Sequence, residues 1–268
     1  MSEVRQVGVG TRIAGVLVRD PLIYLYTVVL GTLSLLSSFF DRPGRIQHGF
    51  ARLWCRLILK TASCPLHVEG LDKIDTSRPF IYAANHSSAL DIPALYAGLP
   101  FQFRIMAKRE LFRLPFLGWH LKRSGQISIE RENARSSMRS LATAANILRA
   151  GMPLVVFPEG GRSTDGVILP FLGGMFYVAI KAGVPIVPVA LVGTLQALPM
   201  NHYIIKPTPF RLIVGEPIST EGYTPRDMER LSSKVKKELE DLYYAHALIA
   251  DPRGDETGEI APEPQTSV

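Results

Sequence analysis

Apolar and polar positions divide the chain into three unlike parts. From Pro21 to Phe40 (PLIYLYTVVLGTLSLLSSFF) no charged residue occurs, and a helix over this run would be about 30 Å long, enough to cross the hydrocarbon core of a bilayer. Turn chemistry at Asp41-Arg42-Pro43-Gly44-Arg45 ends it. Ile46 to Leu59 then sets Arg52, Arg56 and the following Lys60 beside Phe50, Leu53, Trp54, Leu57 and Ile58, the pattern of a basic amphipathic helix in a membrane interface. From Pro65 the pattern becomes short apolar runs separated by helical stretches. The runs predict strands at 66–69, 80–83, 103–107, 127–129, 154–157, 186–191 and 211–214. Between them, 92–97, 134–150 and 174–182 read as helices. Alternation of this kind predicts an α/β fold with a mostly parallel central sheet flanked by helices. A last helix is expected over 225–249, capped by Thr224 with Pro225 at its first position. Beyond Asp251 the chain is rich in proline, glycine and acid, a composition that does not fold. The expected division is 1–62 as membrane-anchoring helices, 63–250 as the α/β domain and 251–268 as a disordered acidic tail.

Charge narrows the partners. The formal net charge is +6, which favours anionic partners such as phosphates or acidic lipid. Nucleic acid is excluded as a partner, because no basic run interleaves with aromatics and no zinc-finger or helix-turn-helix pattern occurs. The positive charge between Arg42 and Lys60 assigns that side to the cytoplasm. Late onset, length and the lack of a small-residue cleavage site argue against reading 21–40 as a cleaved signal peptide. Cys55 and Cys64 have no metal-ligand spacing and read as reduced packing residues.

The candidate chemistry begins at Asn85-His86-Ser87-Ser88-Ala89-Leu90-Asp91. It lies between an expected strand and an expected helix, where open α/β sheets bind ligands. The spacing lets the Asp91 carboxylate reach back to the His86 imidazole, fix its tautomer and stabilise its protonated form, as a general base requires. A helix cap beside a core histidine would use the same residues. Ser87 and Ser88 are alternative nucleophiles, although neither sits in a GxSxG elbow. One histidine and one carboxylate fall short of a metal ligand set. A second polar block, Phe157-Pro158-Glu159-Gly160-Gly161-Arg162-Ser163, follows another expected strand. His48, His67, His120, His202 and His246, with Met175 and Trp119, lie outside any motif and read as structural or packing residues.

NHSSALD, GQISIER (125–131), FPEGGRS and VPIVPV (184–189) occur in that order. Together they resemble the four motif blocks of the glycerolipid acyltransferase family, specifically its lysophosphatidic acid acyltransferases, over roughly residues 64–217. The resemblance implies transfer of an acyl group from an acyl thioester, acyl-CoA or acyl carrier protein, to the hydroxyl of lysophosphatidic acid, with no cofactor. His86 is then the base and Asp91 its orienting partner. Lys108, Arg131 and Arg162 are expected to bind the acceptor's phosphate. Gly160 and Gly161 give backbone N–H groups close approach to an anion. Glu159 either holds the loop or accepts a hydrogen bond from the acceptor's glycerol. The implied location is a membrane, with the site on the cytoplasmic face (the inner membrane if the cell is bacterial). The N-terminal helices then either span the bilayer or form a hairpin dipping into one leaflet.

Two positions depart from the family pattern. Gly161 stands where the family has threonine, and Leu172 where it has lysine before a glycine. Both leave the acceptor head group open. Another lyso-lipid or glycerol 3-phosphate is the alternative acceptor, and a non-catalytic membrane lipid-binding protein is the alternative outside the enzymes.

Overall fold

The computed structural model describes residues 17, 19–41, 43–130 and 133–253. Arg131 and the tail from Gly254 onward lie outside the described residues.

Two helices come first, α1 (Asp20–Ser37) and α2 (Arg45–Thr61). The turn between them is set by Asp41, whose carboxylate accepts from the backbone N–H groups of Arg45, Ile46 and Gln47 at 3.1, 2.6 and 3.1 Å. An acid here satisfies the orphan donors of the α2 N-terminus and complements its dipole. Gly44 takes a left-handed conformation, φ 70°, which suits only glycine at this point. The helices pack as a hairpin in which Trp54 Nε1 donates to Thr27 Oγ1 at 2.7 Å. Both ends of α1 are tied to the rest of the chain: Arg19 Nη1 donates to the Ile205 carbonyl at 3.0 Å, and Ser34 Oγ lies 3.1 Å from His120 Nδ1.

The domain proper is a seven-stranded sheet of order β1-β7-β6-β2-β5-β3-β4. Its strands are β1 (Leu66–Glu69), β2 (Ile81–Ala84), β3 (Arg104–Lys108), β4 (Ile127–Ile129), β5 (Leu154–Val156), β6 (Ile186–Val192) and β7 (Phe210–Val214). All seven expected strands form, with ends displaced by at most one residue. Every pairing is parallel except β6 with β7. Pro188 stands inside the buried β6. Its carbonyl accepts from Gly215 N–H on the β7 side, so the missing N–H falls on that side too and the β2 ladder keeps its donors.

Helices cover both faces. On one, Tyr82, Ala84, Val155, Val187 and Val189 pack against α2 and against α3 (Asp91–Gly98). Cys55, Ile58 and Leu59 of α2 are thus core residues of the sheet domain, and both cysteines are free and buried. On the other face, Ile81, Ala83, Leu154, Val156 and Ile186 pack against α5 (Ala134–Arg149), α6 (Gly174–Ala182) and α8 (Met228–Tyr244). Alternate residues of one strand feed opposite cores. Full burial of a side chain such as Phe176 or Leu154 contributes about 2 kcal/mol.

Shorter elements complete the fold. The helices α4 (Leu117–Arg123) and α7 (Thr194–Ala197) were not legible in the pattern. The last helix is shorter than expected. Thr224 caps a 3-10 turn at Pro225–Asp227, and α8 ends at Tyr244 rather than at residue 249. After Tyr244 the chain turns, which lets Ala247 and Ile249 pack on the cluster of Ile168, Ala190, Ile213 and Tyr243; a continued helix would carry them past it. Trp119, expected to be packing, is instead 53% exposed.

Candidate active site

Chain topology makes a cleft where the two polar blocks meet. From β2 the chain crosses over β5 by α3 on one face to reach β3; from β5 it crosses over β2 by α6 on the other face to reach β6. The connections therefore leave β2 and β5 in opposite directions, and a crevice opens at their C-terminal ends. The NHSSALD segment follows β2 and FPEGGRS follows β5. Lys108 closes β3, paired with Ile129 of β4 on the same edge of the sheet.

Asn85 fastens the first block. Its side chain donates to the Leu191 carbonyl at 3.0 Å and accepts from the Leu191 N–H at 2.7 Å, extending the β2–β6 pairing by one amide-like link. His86 comes next. Its Nδ1 lies 2.7 Å from Asp91 Oδ2, and the same oxygen accepts from the N–H groups of Ser87 and Ser88, each at 2.8 Å. Asp91 is wholly buried in the first turn of α3, while the His86 side chain keeps 20% exposure. A carboxylate acceptor on Nδ1 makes that nitrogen the N–H donor and leaves Nε2 with its lone pair. The ring also stacks on Phe157, centroids 4.0 Å apart and planes 19° from parallel. This arrangement can accept a proton at Nε2 and carry the resulting charge against Asp91.

The alternative roles of Ser87 and Ser88 find no geometry. Ser88 Oγ donates to the Leu198 carbonyl at 2.8 Å, Ser87 Oγ faces Thr194 Oγ1 at 3.4 Å, and both residues are buried. Neither hydroxyl is hydrogen-bonded to His86 among the described residues.

The second block is bound to the backbone of His86 itself. The His86 N–H donates to Glu159 Oε1 at 2.6 Å, and the His86 carbonyl accepts from Ser163 N–H at 2.7 Å. The other oxygen of Glu159 accepts from Leu169 N–H at 2.8 Å. Both oxygens of Glu159 are therefore taken by main-chain donors, which is the loop-holding half of its expected role. Burial, only partly offset by those two bonds, raises its pKa from 4.5 to about 7. Gly160, at φ 73°, closes a turn with its N–H on the Phe157 carbonyl. Gly161 has no atom within 4 Å of where a Cβ would stand, so a side chain there would meet open space. Ser163 Oγ accepts from Gly166 N–H and donates to Asp165. Leu172 N–H returns to the Pro158 carbonyl.

The site thus joins His86, Asp91, Glu159, Gly160 and Gly161, with Arg162 in the same loop, exposed and without an ion pair or hydrogen bond to another described residue. Lys108 is exposed at the same edge, whereas Arg131 lies outside the described residues. Asn85, Phe157 and Ser163 were missed as supporting residues. An amide and a hydroxyl inside the motif blocks, and an aromatic at a strand end, were the available signals.

A family model for acyltransferases matches residues 65–192. The chain is 34% identical over 185 residues to a chloroplastic 1-acyl-sn-glycerol-3-phosphate acyltransferase of Brassica napus, covering 67% of this chain and 52% of the relative. It is 32% identical over 211 residues to a 1-acyl-sn-glycerol-3-phosphate acyltransferase of Saccharomyces cerevisiae, covering 78% of this chain and 69% of the relative. The crystal structure of the 1-acyl-sn-glycerophosphate acyltransferase from Thermotoga maritima superposes with a TM-score of 0.70 at 26% identity, covering 87% of this chain and 97% of that one. The chain spans about half the length of the chloroplastic relatives from Brassica napus and Arabidopsis thaliana, 52% and 49%.

Proposed function

The chain belongs to the acyltransferase family, and from that premise we propose that it transfers an acyl group from an acyl thioester to the free hydroxyl of lysophosphatidic acid, forming phosphatidic acid. The observation that carries this reading is the His86–Asp91 pair, held at 2.7 Å in the crevice between β2 and β5. The substrate hydroxyl gives its proton to His86 Nε2 as its oxygen bonds to the thioester carbonyl carbon. The tetrahedral intermediate then collapses, the C–S bond breaks, and the thiolate leaves with the proton from the imidazolium. Asp91 holds Nδ1–H throughout and balances the transient charge. No covalent enzyme intermediate is needed, in keeping with the engaged hydroxyls of Ser87 and Ser88.

Arg162 supplies a paired donor for the acceptor's phosphate, and Lys108 adds a second cation at the same edge; the part expected of Arg131 rests on the motif resemblance alone. The donor is acyl-CoA or acyl carrier protein. Gly161 and Leu172 leave the head-group end of the site open and short of one cation, so lysophosphatidic acid is tested against glycerol 3-phosphate and other lyso-lipids.

The N-terminal hairpin is a membrane element. Helix α1 is long and apolar enough to cross a bilayer, and only its Ser34 is buried. Arg19 and Ser34 tie both its ends to the domain, which supports reading α1 as lying along the domain, in one leaflet, rather than across the bilayer. A buried methylene is worth about 0.8 kcal/mol, so acyl chains stay in lipid and a site beside the bilayer receives them there. The cytoplasmic face is the side the basic residues of α2 select.

The test is labelled acyl thioester with a panel of acceptors, for the native chain and for His86→Ala. Transfer to lysophosphatidic acid should exceed transfer to the other acceptors, and His86→Ala should lower it by about 10²–10⁴-fold. Comparable transfer by a folded His86→Ala protein would overturn the base assignment, and a preference for another acceptor would overturn the substrate.

A further inference from the structure

The connection from β3 to β4 carries a surface that the chemistry does not use. Over 111–119 the chain leaves Leu111, Leu114, Phe116, Leu117 and Trp119 exposed, with Phe116 at 68% and Trp119 at 53%. Phe116 and Trp119 pack on each other, centroids 5.2 Å apart, and stay outside the core together. The backbone is built to keep them there. Phe116 sits at φ 58°, ψ −60°, a conformation costly for a residue with a Cβ. Two things hold it: Gly118 N–H bonds the Leu114 carbonyl at 2.8 Å, and Gly118 packs so tightly on the Phe112 carbonyl that a Cβ would collide with it. Strain that points a large aromatic ring into water is unexplained by folding alone.

Charge and continuity identify the partner. Lys108, Arg113, Lys122 and Arg123 flank the apolar tip against a single acid within 108–123, Glu110, while Arg109 is ion-paired with Glu130. The segment also abuts the N-terminal hairpin. Arg123 stacks over the Phe39 ring at 4.3 Å, and His120 meets Ser34, while Leu36, Phe39 and Phe40 are exposed. Apolar tip, basic collar and an adjoining apolar helix match an anionic bilayer surface, with aromatic rings at headgroup depth.

We propose that residues 111–119 form a second membrane-inserting element, which seats Phe116 and Trp119 in an anionic lipid interface and draws the Lys108 end of β3 onto the bilayer. The proposal rests on the reading of α1 as an in-plane membrane helix and adds a second point of attachment. With α1 alone the domain is free to roll about that helix. With both, the flank from the hairpin to the site edge is fixed to the surface.

The chain has two tryptophans, so Trp54→Phe leaves Trp119 as the sole emitter. The full chain is reconstituted with vesicles of zwitterionic and anionic lipid, with and without brominated acyl chains. Trp119 emission should shift to the blue and be quenched by the brominated lipid, more so with anionic lipid at low salt. Phe116→Ser, and Trp119→Ser as a variant outside the strained turn, should lower turnover on vesicle-borne substrate about tenfold and leave turnover in detergent micelles unchanged. A parallel reporter, Leu25→Trp in a Trp54→Phe/Trp119→Phe background, separates the two readings. If the Leu25→Trp reporter is quenched and Trp119 is not, the second element is overturned while the membrane helix stands. If neither is quenched, both fall.

Discussion

Two polar clusters sit at opposite ends of the same mostly parallel sheet, and the contrast between them separates chemistry from scaffolding. At the C-terminal ends, His86 meets a carboxylate at 2.7 Å and a loop held by another carboxylate. At the N-terminal ends, Arg104 Nη2 donates to the Pro43 carbonyl at 2.6 Å, and Arg52 Nη2 donates to the carbonyls of Leu99 and Phe101 at 2.7 and 3.0 Å. This second cluster also contains a buried histidine, His48, packed between the rings of Tyr96 and Phe103. Burial, with Arg52 and Arg104 close by, lowers its pKa from 6.5 to about 4, so it stays neutral. Cations bound to carbonyls fasten the hairpin to the sheet; an imidazole bound to a carboxylate is set to exchange a proton. Burial and polarity are common to both. The sign of the partner is what differs.

Three substitutions sharpen that contrast. The largest effect belongs to Asp91→Asn, which removes the anion behind His86 and frees the wrong tautomer. Turnover in micelles should fall about 10²–10⁴-fold with little change in acceptor KM, measured by steady-state kinetics; a small loss would mean that Asp91 only caps α3. Second comes Glu159→Gln. The folded protein holds the Glu159 proton up to about pH 7, whereas the ordinary value is 4.5. The native state therefore binds more protons than the unfolded state between those values, and this group's contribution to stability falls as pH rises through the window. The native chain should lose on the order of 3 kcal/mol more than Glu159→Gln between about pH 4.5 and pH 7, read from thermal midpoints in detergent. Equal slopes would show that Glu159 ionises in the ordinary range. The smallest is Arg104→Met, expected to cost about 2 kcal/mol and to speed proteolysis at residues 38–44. Its turnover per folded molecule in micelles should stay within about twofold. A large loss of turnover there would erase the distinction between the two ends.

Much of the scaffold was legible because buried parallel strands are short β-branched runs bounded by glycine and proline, as at Ile186–Val192. Their order was not, since pairing of β2 with β5 and β6 is a matter of distant segments. Helix α4 was missed because it starts at a strained Phe116 and has no capping side chain. The final helix was overextended because Ala245 to Ile249 suits a helix locally, and only tertiary packing of Ala247 and Ile249 turns it. Of the site, the His86–Asp91 pair could be read from spacing, because the carboxylate and ring are five residues apart. That Glu159 reaches across seventy-three residues to the amide of His86 could not.

That reach has a consequence for how such a scaffold diversifies. Glu159 and Ser163 grip the amide and the carbonyl of one residue, so the number of residues between them is matched to the span of a single residue. Adding or deleting one would shift the backbone that carries the proposed base. New acceptors must therefore be accommodated by exchanging side chains, with the open space above Gly161 as the first place to do so.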